Sequence, residues 1–197
     1  VYDNAFNSIE QNLRAEEGIS NELDYVEQTS WLMFLKYLHD LESERKDRAE
    51  LRGTNYEPLI DGNFKWDQWA SPKTTSGDFD HNRALVGDDL VSFIDKDLFP
   101  YLANFKETEK GPQSIQYKIG EIFGELRNKF RSGYILRDIL ETIDTLSFNT
   151  QDERHELSQL YETRIRRMGN AGRNGGEYYT PRPLIRAMIS VVDPKIG

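Results

Sequence analysis

Residues 169–197, GNAGRNGGEYYTPRPLIRAMISVVDPKIG, contain the residue types that can bind a charged ligand carrying a flat ring. Gly and Asn make up most of the first eight residues, so this loop can present backbone N–H groups and adopt positive φ angles. Thr180 predicts a helix cap and Pro181 a first helical position, where unpaired N–H groups suit an anion. Tyr178 and Tyr179 offer aromatic faces. On spacing alone, the favoured interpretation is the plainer one, a connector between two elements.

Four arginines beside this loop form the one basic cluster of the chain: Arg164, Arg166, Arg167 and Arg173. Two interpretations of the cluster stay open. Cations near the end of a helix complement its dipole, and this is the more general explanation. The same cations are also suited to contacts with DNA phosphates.

Three residues in the segment SGDFDHN have the types of a metal site, namely Asp78, Asp80 and His81. Two carboxylates and one histidine in a Gly-containing loop are far more often turn residues, so we predict no metal site there. Trp66 and Trp69 lie in a Pro/Gly-containing connection. We expect them to form a small satellite core, and a partner-docking patch is the alternative.

The composition excludes several classes of protein. The 197 residues include 25 Lys+Arg and 34 Asp+Glu, giving a formal charge of −9, and no cysteine, so disulfides and thiol catalysis are excluded. No apolar run has the length of a membrane span and no signal-peptide pattern opens the chain, so we expect a soluble, cytoplasmic protein. The first 150 residues carry −11 and the last 47 carry +2. A protein that binds nucleic acid over its whole surface is therefore excluded, but a local contact is not.

Apolar residues spaced three and four apart predict that the first part of the chain is helical. A short helix carries Phe6, Ile9 and Leu13 on one face and ends at Gly18. A long helix follows from Ser20 to about Leu51, with a charged, solvated second half. Its predicted apolar face comprises Leu23, Val26, Ser30, Met33, Phe34, Tyr37, Leu38 and Leu41.

The rest of the chain is predicted to be a long connection followed by more helices. The connection covers residues 52–88, and NFKWDQW is its best candidate for an extended piece. Helices are expected at about 88–103, from Pro112 to near Ser132-Gly133 with Phe130 as the last residue of its apolar stripe, from Tyr134 with an inward face, from Asp152, and from Thr180. The inward face after Tyr134 comprises Ile135, Ile139, Ile143 and Leu146, and the last helix should be buried because it is apolar on most sides. The fold class is mainly α, with about seven helices and at most a minor β element within residues 55–80.

Three segments resemble one known family. GGEYYTPRPLIRAMISVVDP, residues 175–194, closely resembles the segment preceding the catalytic core in modification subunits of type I restriction–modification systems. TSWLMFLKYLHDLE (Thr29–Glu42) is similar to that family's early long helix, and LSQLYETRIRRM (Leu157–Met168) to the helix that leads into the loop. Those subunits are adenine-specific DNA methyltransferases that use S-adenosylmethionine. The resemblance therefore implies an N-terminal helical domain over residues 1–168 and, over residues 169–197, a loop and helix leading into the methyltransferase domain.

The same resemblance implies which residues face the cofactor. By position, one wall of the S-adenosylmethionine pocket would comprise Glu177, Tyr178, Tyr179, Thr180, Pro181 and Arg182. The chemistry agrees, because the cofactor's carboxylate suits the Thr180 hydroxyl and the N–H groups after it. Its sulfonium and adenine suit an aromatic or acidic wall.

Two further motifs of the family do not occur in this sequence. They are a glycine-rich D-P-A-x-G-[ST]-x-G turn that holds the cofactor and an N-P-P-[FYW] motif that holds the target adenine, whereas this sequence stops at DPKIG. We therefore expect the catalytic residues beyond Gly197 and the α/β catalytic domain outside this chain. We also expect no methyl transfer by these 197 residues alone. In the complete subunit, the exocyclic amine of an adenine taken out of the duplex would receive the methyl group.

The partners implied by the resemblance are DNA, a specificity subunit, a restriction subunit and a second copy of the modification subunit. The helical domain would contribute to DNA clasping and subunit assembly. The alternative is a stand-alone helical interaction module in which the glycine loop has no cofactor role. The coding DNA directly downstream distinguishes the two, because the two missing motifs support the first and a stop codon supports the second.

Overall fold

The computed structural model of the chain describes residues 2–107, 111–148, 150–153, 155–156, 158–159, 162–163 and 182–194. The chain divides into two units, residues 1–154 and residues 155–197. In the described residues every regular element is helical, apart from an isolated antiparallel bridge between Lys73 and Phe79. The mainly α fold predicted from the sequence is therefore confirmed. None of the described helices is both long and apolar enough to cross a membrane.

The first two helices are α1 (Tyr2–Ala15) and α2 (Glu22–Leu51). The predicted face of α1 is confirmed, since Phe6, Ile9 and Leu13 are almost fully buried. The N-cap of α2 is Asn21, whose side chain accepts a hydrogen bond from the backbone N–H of Asp24 at 3.0 Å.

The buried face of α2 is wider than the predicted stripe. Leu23 is 46% exposed, whereas Trp31, Leu32 and Leu35, which the stripe omitted, are buried. The reason is that α2 contacts α1 and two later helices, α3 (Trp66–Trp69) and α7 (Gly133–Asp144), so more than one side of it is covered. Its second half is largely exposed, as the charge pattern predicts.

The connection after α2 contains no strand at NFKWDQW, so that expectation is wrong. Residues Gly62–Phe64 form a 3₁₀ turn, and α3 (Trp66–Trp69) follows. A three-residue spacing puts both tryptophans on the same side of a helical turn, and both are buried. A helical turn buries both tryptophans together. An extended segment would place them on opposite faces, and its backbone groups would need a neighbouring strand as hydrogen-bond partner.

The next helical stretch was predicted at about residues 88–103. It consists of α4 (Gly87–Phe93), a π-helical turn (Ile94–Leu98) and α5 (Phe99–Ala103), continued by a 3₁₀ turn (Asn104–Glu107). Pro100 stands in the first turn of α5. Because proline has no N–H to continue the α pattern, the wider π turn directly before it is physically reasonable.

The sixth helix, α6 (Ile115–Glu125), is shorter than predicted at both ends. Its cap is Ser114, whose hydroxyl accepts the backbone N–H of Tyr117 at 3.2 Å, so Pro112 precedes the cap instead of occupying the first helical position. The apolar stripe continues to Phe130, but residues 126–132 are irregular and Phe130 is buried without being helical. Side chains from the turn after α1 and from α2 bind the backbone of this segment, as described below.

The predicted inward face of α7 is mostly confirmed, with Ile139 and Ile143 buried and Ile135 half-buried, and Leu146 is buried just after the helix ends. It starts in close contact with the start of α4. An ideal Cβ built on Gly133 would lie 1.8 Å from the carbonyl oxygen of Gly87, so a glycine at position 133 is required by this approach.

In the second unit, α8 (Arg182–Val192) is the longest element that the structure describes. Its apolar side chains were expected to be buried, but Leu184, Met188 and Ile189 are each 51–53% exposed. The caps and stripe predicted for the helix from Asp152 and for α8 fall largely on residues outside the described ranges, namely Leu157, Leu160, Tyr161, Ile165, Met168, Thr180 and Pro181.

The close approach of α7 to α4 generates the first testable prediction. Gly133→Ala should lower the free energy of unfolding by about 1–3 kcal/mol, because the added methyl group meets a backbone oxygen that cannot rotate away. Gly124→Ala is the matched control, since a Cβ at this helical position meets no atom within 4 Å. It should stabilise the protein by up to about 1 kcal/mol. Urea unfolding monitored by circular dichroism measures both, and equal stability of the two variants would contradict the close contact.

Candidate functional site

The loop predicted to bind a cofactor lies outside the described residues, as does the basic cluster. The structure therefore gives no positions for Glu177, Tyr178, Tyr179, Thr180, Pro181, Arg164, Arg166, Arg167 and Arg173. Arg182 begins α8, but its side chain is not among those described. The roles assigned to these residues stay predictions.

In the first unit, a buried carboxylate binds the irregular segment that follows α6. Glu16 is 3% exposed, and its two oxygens accept the backbone N–H groups of Arg131 at 3.0 Å and Ser132 at 3.1 Å. It also accepts the N–H of Gly18 at 3.2 Å. This carboxylate thus links the turn after α1 to residues more than a hundred positions away.

A second group of polar side chains, on α2, binds the same segment. Gln28 is fully buried, donates to the carbonyl oxygen of Arg127 at 3.0 Å and accepts the N–H of Lys129 at 3.2 Å. The Lys129 ammonium lies 2.5 Å from a carboxylate oxygen of Asp24. Burial alone would raise the pKa of Asp24, but hydrogen bonds from Lys129 and Ser20 outweigh it and hold the pKa below its ordinary value.

A buried arginine on α7 holds the connection between α3 and α4. Arg137 is 5% exposed and donates to the carbonyl oxygens of Ala70 at 2.5 Å, Trp69 at 3.1 Å and Leu85 at 2.7 Å. Its guanidinium carbon also lies 5.7 Å from the ring centre of Phe79. Burial lowers the pKa of Arg137, and within the described residues its positive charge is stabilised by carbonyl dipoles without a salt bridge.

A carboxylate at the end of α7 collects three donors from the same connection. Asp144 accepts hydrogen bonds from the Trp66 indole at 2.9 Å, the Ser71 hydroxyl at 2.6 Å and the Lys73 ammonium at 2.8 Å. Burial alone would raise its pKa, but the bonds from Lys73, Ser71 and Trp66 outweigh that effect and hold the pKa below its ordinary value.

A groove of about 470 Å³ lies between α2 and residues 54–69 of the first unit and is here called the α2 groove. The α2 wall includes Leu35, His39, Glu42, Lys46, Ala49 and Glu50, and the facing wall includes Tyr56, Phe64, Lys65, Trp66, Asp67 and Trp69. Burial lowers the pKa of His39, which favours the neutral imidazole. No local sequence pattern indicates this groove, because one wall is a face of α2 and the other comes from the separate segment of residues 54–69.

The remaining candidate residues have structural roles. Asp78 accepts a hydrogen bond from the Ser76 hydroxyl at 2.8 Å, and Asp80 accepts the backbone N–H of Asn82 at 3.1 Å, so both carboxylates stabilise turns. The His81 ring packs edge-on against Phe79. In the parts of the chain that the structure describes, no group of three metal-ligating side chains occurs. Burial of Trp66 and Trp69 agrees with their assignment to a core.

Two family models match this chain. Residues 4–163 match the HsdM N-terminal domain, and residues 152–197 match the N-6 DNA methylase family. A curated relative is the methylase subunit of the type I restriction enzyme EcoEI from Escherichia coli, which is 31% identical over 191 residues. That alignment covers 96% of this chain and 36% of the relative.

Two solved structures are similar to this one. A modification subunit of a putative type I restriction enzyme from Vibrio vulnificus YJ016 superposes with a TM-score of 0.80 and 34% identity, covering 99% of this chain and 40% of that one. A chain from a study of complex assembly and conformational transition in a type I R-M system has a TM-score of 0.71 and 30% identity. The second match covers 100% of this chain and 36% of that one, so this chain spans well under half the length of its relatives.

The hydrogen bonds of Asp144 generate a prediction with a pH dependence. Asp144→Asn should lower the free energy of unfolding at pH 7 by about 1–3 kcal/mol, because an amide cannot accept all three donors. Since the folded-state pKa is depressed, this stabilisation is present above the unfolded-state pKa of about 4 and is lost as the pH falls through the folded-state pKa.

The two proteins should therefore converge in stability at acidic pH. The control is Asp138→Asn, an exposed position on the same helix, which should match the unsubstituted protein at every pH. Urea unfolding from pH 2 to pH 7 measures this. A stability difference between Asp144→Asn and the unsubstituted protein that does not change with pH would contradict the assignment.

Proposed function

Because the chain belongs to the HsdM N-terminal domain family, we propose that it is the N-terminal part of a DNA methyltransferase subunit in a type I restriction–modification complex. We further propose that the subunit is adenine-specific and uses S-adenosylmethionine. One observation carries this proposal. The chain matches the HsdM N-terminal domain and then the N-6 DNA methylase family, and the two matches overlap at residues 152–163.

The proposed division of labour places a helical domain at residues 1–168 and the entry to the methyltransferase domain at residues 169–197. Two findings support a division in this region. The chain separates into two units after residue 154, and the two family matches change over between residues 152 and 163. The proposed boundary at residue 168 lies 14 residues after the division into units and 5 after the end of the HsdM N-terminal domain match, at the end of the helix predicted from Asp152.

We assign one wall of the cofactor site to Glu177, Tyr178, Tyr179, Thr180, Pro181 and Arg182. The start of α8 at Arg182 supports the assignment, because it puts the first free N–H groups of an eleven-residue helix directly after Thr180 and Pro181. Those groups and the Thr180 hydroxyl would hold a carboxylate, while the tyrosines and Glu177 would face a cation and an adenine ring. When bound, S-adenosylmethionine supplies the methyl group. The residues assigned here bind and orient it, and the catalytic residues belong to the part of the subunit that follows.

Charge supports a division between assembly and DNA contact. The first 150 residues carry −11, which disfavours direct binding of this helical part to DNA phosphates. We therefore assign the DNA contacts of this chain to Arg164, Arg166, Arg167 and Arg173. The proposed partners are the specificity subunit, which would read the sequence, the restriction subunit and a second modification subunit, and the proposed location is the cytoplasm.

The test is to express the complete subunit together with a specificity subunit of the same system and to incubate the purified complex with methyl-labelled S-adenosylmethionine and DNA. The expected product is N6-methyladenine at a fixed sequence, identified by mass spectrometry of the digested DNA. Methylation of cytosine would overturn the adenine assignment. A complex that assembles, binds DNA and transfers no methyl group would overturn the proposed activity.

The proposed cofactor wall predicts that Thr180→Val in the complete subunit damages cofactor binding more than folding. Loss of a cap costs about 0.5–2 kcal/mol of stability, which a large protein tolerates. Loss of a hydrogen bond to a charged carboxylate should weaken cofactor affinity about tenfold or more. Pro181→Gly should have the same effect by loosening the start of α8.

The matched control is Thr163→Val, which removes a hydroxyl that donates to the carbonyl oxygen of Gln159 in the same unit. Calorimetry and thermal unfolding on the same three variants separate the two effects. If Thr180→Val lowers stability while cofactor affinity stays unchanged, Thr180 is a helix cap and the wall is assigned wrongly. The isolated 197-residue chain should bind S-adenosylmethionine weakly or not at all, because one wall supplies few contacts.

A further inference from the structure

Helix α8 ends in a left-handed turn that is made by a residue other than glycine. Asp193 follows Val192, the last residue of α8, and has a φ of 43°. Its backbone N–H donates to the carbonyl oxygen of Ile189 at 2.9 Å. Such a bond, made by a left-handed residue directly after a helix, is the αL form of C-cap, in which glycine is the usual residue.

The left-handed conformation has a cost at this position. Among the residues that the structure describes, every positive φ other than that of Asp193 belongs to a glycine. In any residue with a Cβ, this conformation brings the Cβ close to the following carbonyl oxygen. Aspartate and asparagine tolerate it better than most side chains do, and β-branched side chains tolerate it least.

The proline that follows does not by itself explain the turn. A residue before a proline is disfavoured in the right-handed α conformation, so Pro194 keeps α8 from continuing through Asp193. The conformation that such a residue adopts most readily is extended. An extended Asp193 would end α8 without the cost of a positive φ, so the left-handed turn specifies the direction in which the chain leaves the helix.

This direction matters because the proposed cofactor wall lies at the other end of α8. The eleven residues of the helix span about 16 Å. A segment that follows Asp193 has to run back along α8 to reach the same cofactor, and an extended chain covers that distance in about five residues. If α8 ended one residue earlier or later, the point of exit would rotate by about 100° around the helix axis and move by about 1.5 Å.

We propose that Asp193 is a positioning residue for the cofactor site, because its left-handed turn fixes where the chain leaves α8 and so returns the following segment to the wall at residues 177–182. This inference rests on the proposed function and deepens it, since it gives the far end of α8 a part in cofactor binding. Asp193 acts through its backbone conformation. Its charge is not required, so another residue that tolerates the left-handed region replaces it.

The test is a series of substitutions at this position in the complete subunit, assembled with its partner subunits. Asp193→Asn and Asp193→Gly keep access to the left-handed region, Asp193→Ala reduces it, and the β-branched Asp193→Val reduces it most. The matched control is Ser190→Val, which introduces the same side chain at an exposed position within α8. Calorimetric titration with S-adenosylmethionine and thermal unfolding are measured on every variant.

Cofactor affinity should follow the tolerance for a positive φ. Asp193→Asn, Asp193→Gly and Ser190→Val should stay within about twofold of the unsubstituted protein, whereas Asp193→Val should bind at least about tenfold more weakly and Asp193→Ala should lie between. The melting temperature of Asp193→Val should fall by no more than about 2–4 °C, because one strained turn is a small part of the stability of a large protein.

Three results would overturn this inference alone. One is a loss of affinity in Asp193→Asn and Asp193→Gly, which would show that the carboxylate itself is needed. The others are unchanged affinity in Asp193→Val and an affinity that only follows the melting temperature across the series, as a purely structural role requires. If Asp193→Val does not fold, the comparison of Asp193→Ala with Asp193→Gly decides the question in the same way. An unsubstituted complex that assembles and binds no S-adenosylmethionine would overturn the proposed function instead.

Discussion

The guanidinium of Arg137 is the interaction on which the arrangement of the first unit most depends. It is buried on α7 and donates to three carbonyl oxygens, at residues 69, 70 and 85, that mark the two ends of the connection between α3 and α4. Buried carbonyl groups without partners would each cost about 1–3 kcal/mol, so one side chain makes this irregular path energetically acceptable. The same connection carries Trp66 and Trp69, which form the inner end of the α2 groove.

The rest of the unit uses the same principle with other side chains. Glu16 and Gln28 bind the backbone of residues 127–132, and Asp144 collects donors from the start of the connection. Glu16 in the turn after α1 and Gln28 on α2 satisfy backbone groups that would otherwise pair within a helix or strand, whereas Asp144 on α7 satisfies side-chain donors. Irregular segments can therefore lie against the helices with these backbone groups hydrogen-bonded, and the described part of the unit forms a groove without a sheet.

This principle also explains which features the sequence predicts. The α1 helix and the inward face of α7 follow from local spacing, because one buried stripe determines them. The end of α6 does not, since residues 126–132 continue the helical spacing but are bound by Glu16 and Gln28 from distant parts of the chain. The prediction of an extended segment at NFKWDQW is wrong because burial of two tryptophans three residues apart favours a helical turn.

No local pattern predicts the α2 groove, because the groove forms only when α2 and residues 54–69 pack against each other. The assignments at residues 177–182 come from a family resemblance and still await a structural test.

Hydrogen–deuterium exchange on Arg137→Met tests the central role of this side chain most directly, with Arg127→Met, an exposed arginine that bonds the carbonyls of Gly124 and Leu126, as the control. Arg137→Met should accelerate exchange at least about tenfold at the amides of Thr74 and Asp80, which are bonded within the connection. The amides of α1 should keep their protection, and Arg127→Met should change neither region. Unchanged protection at Thr74 and Asp80 in Arg137→Met, or an equal loss in α1 and in the connection, would contradict the account.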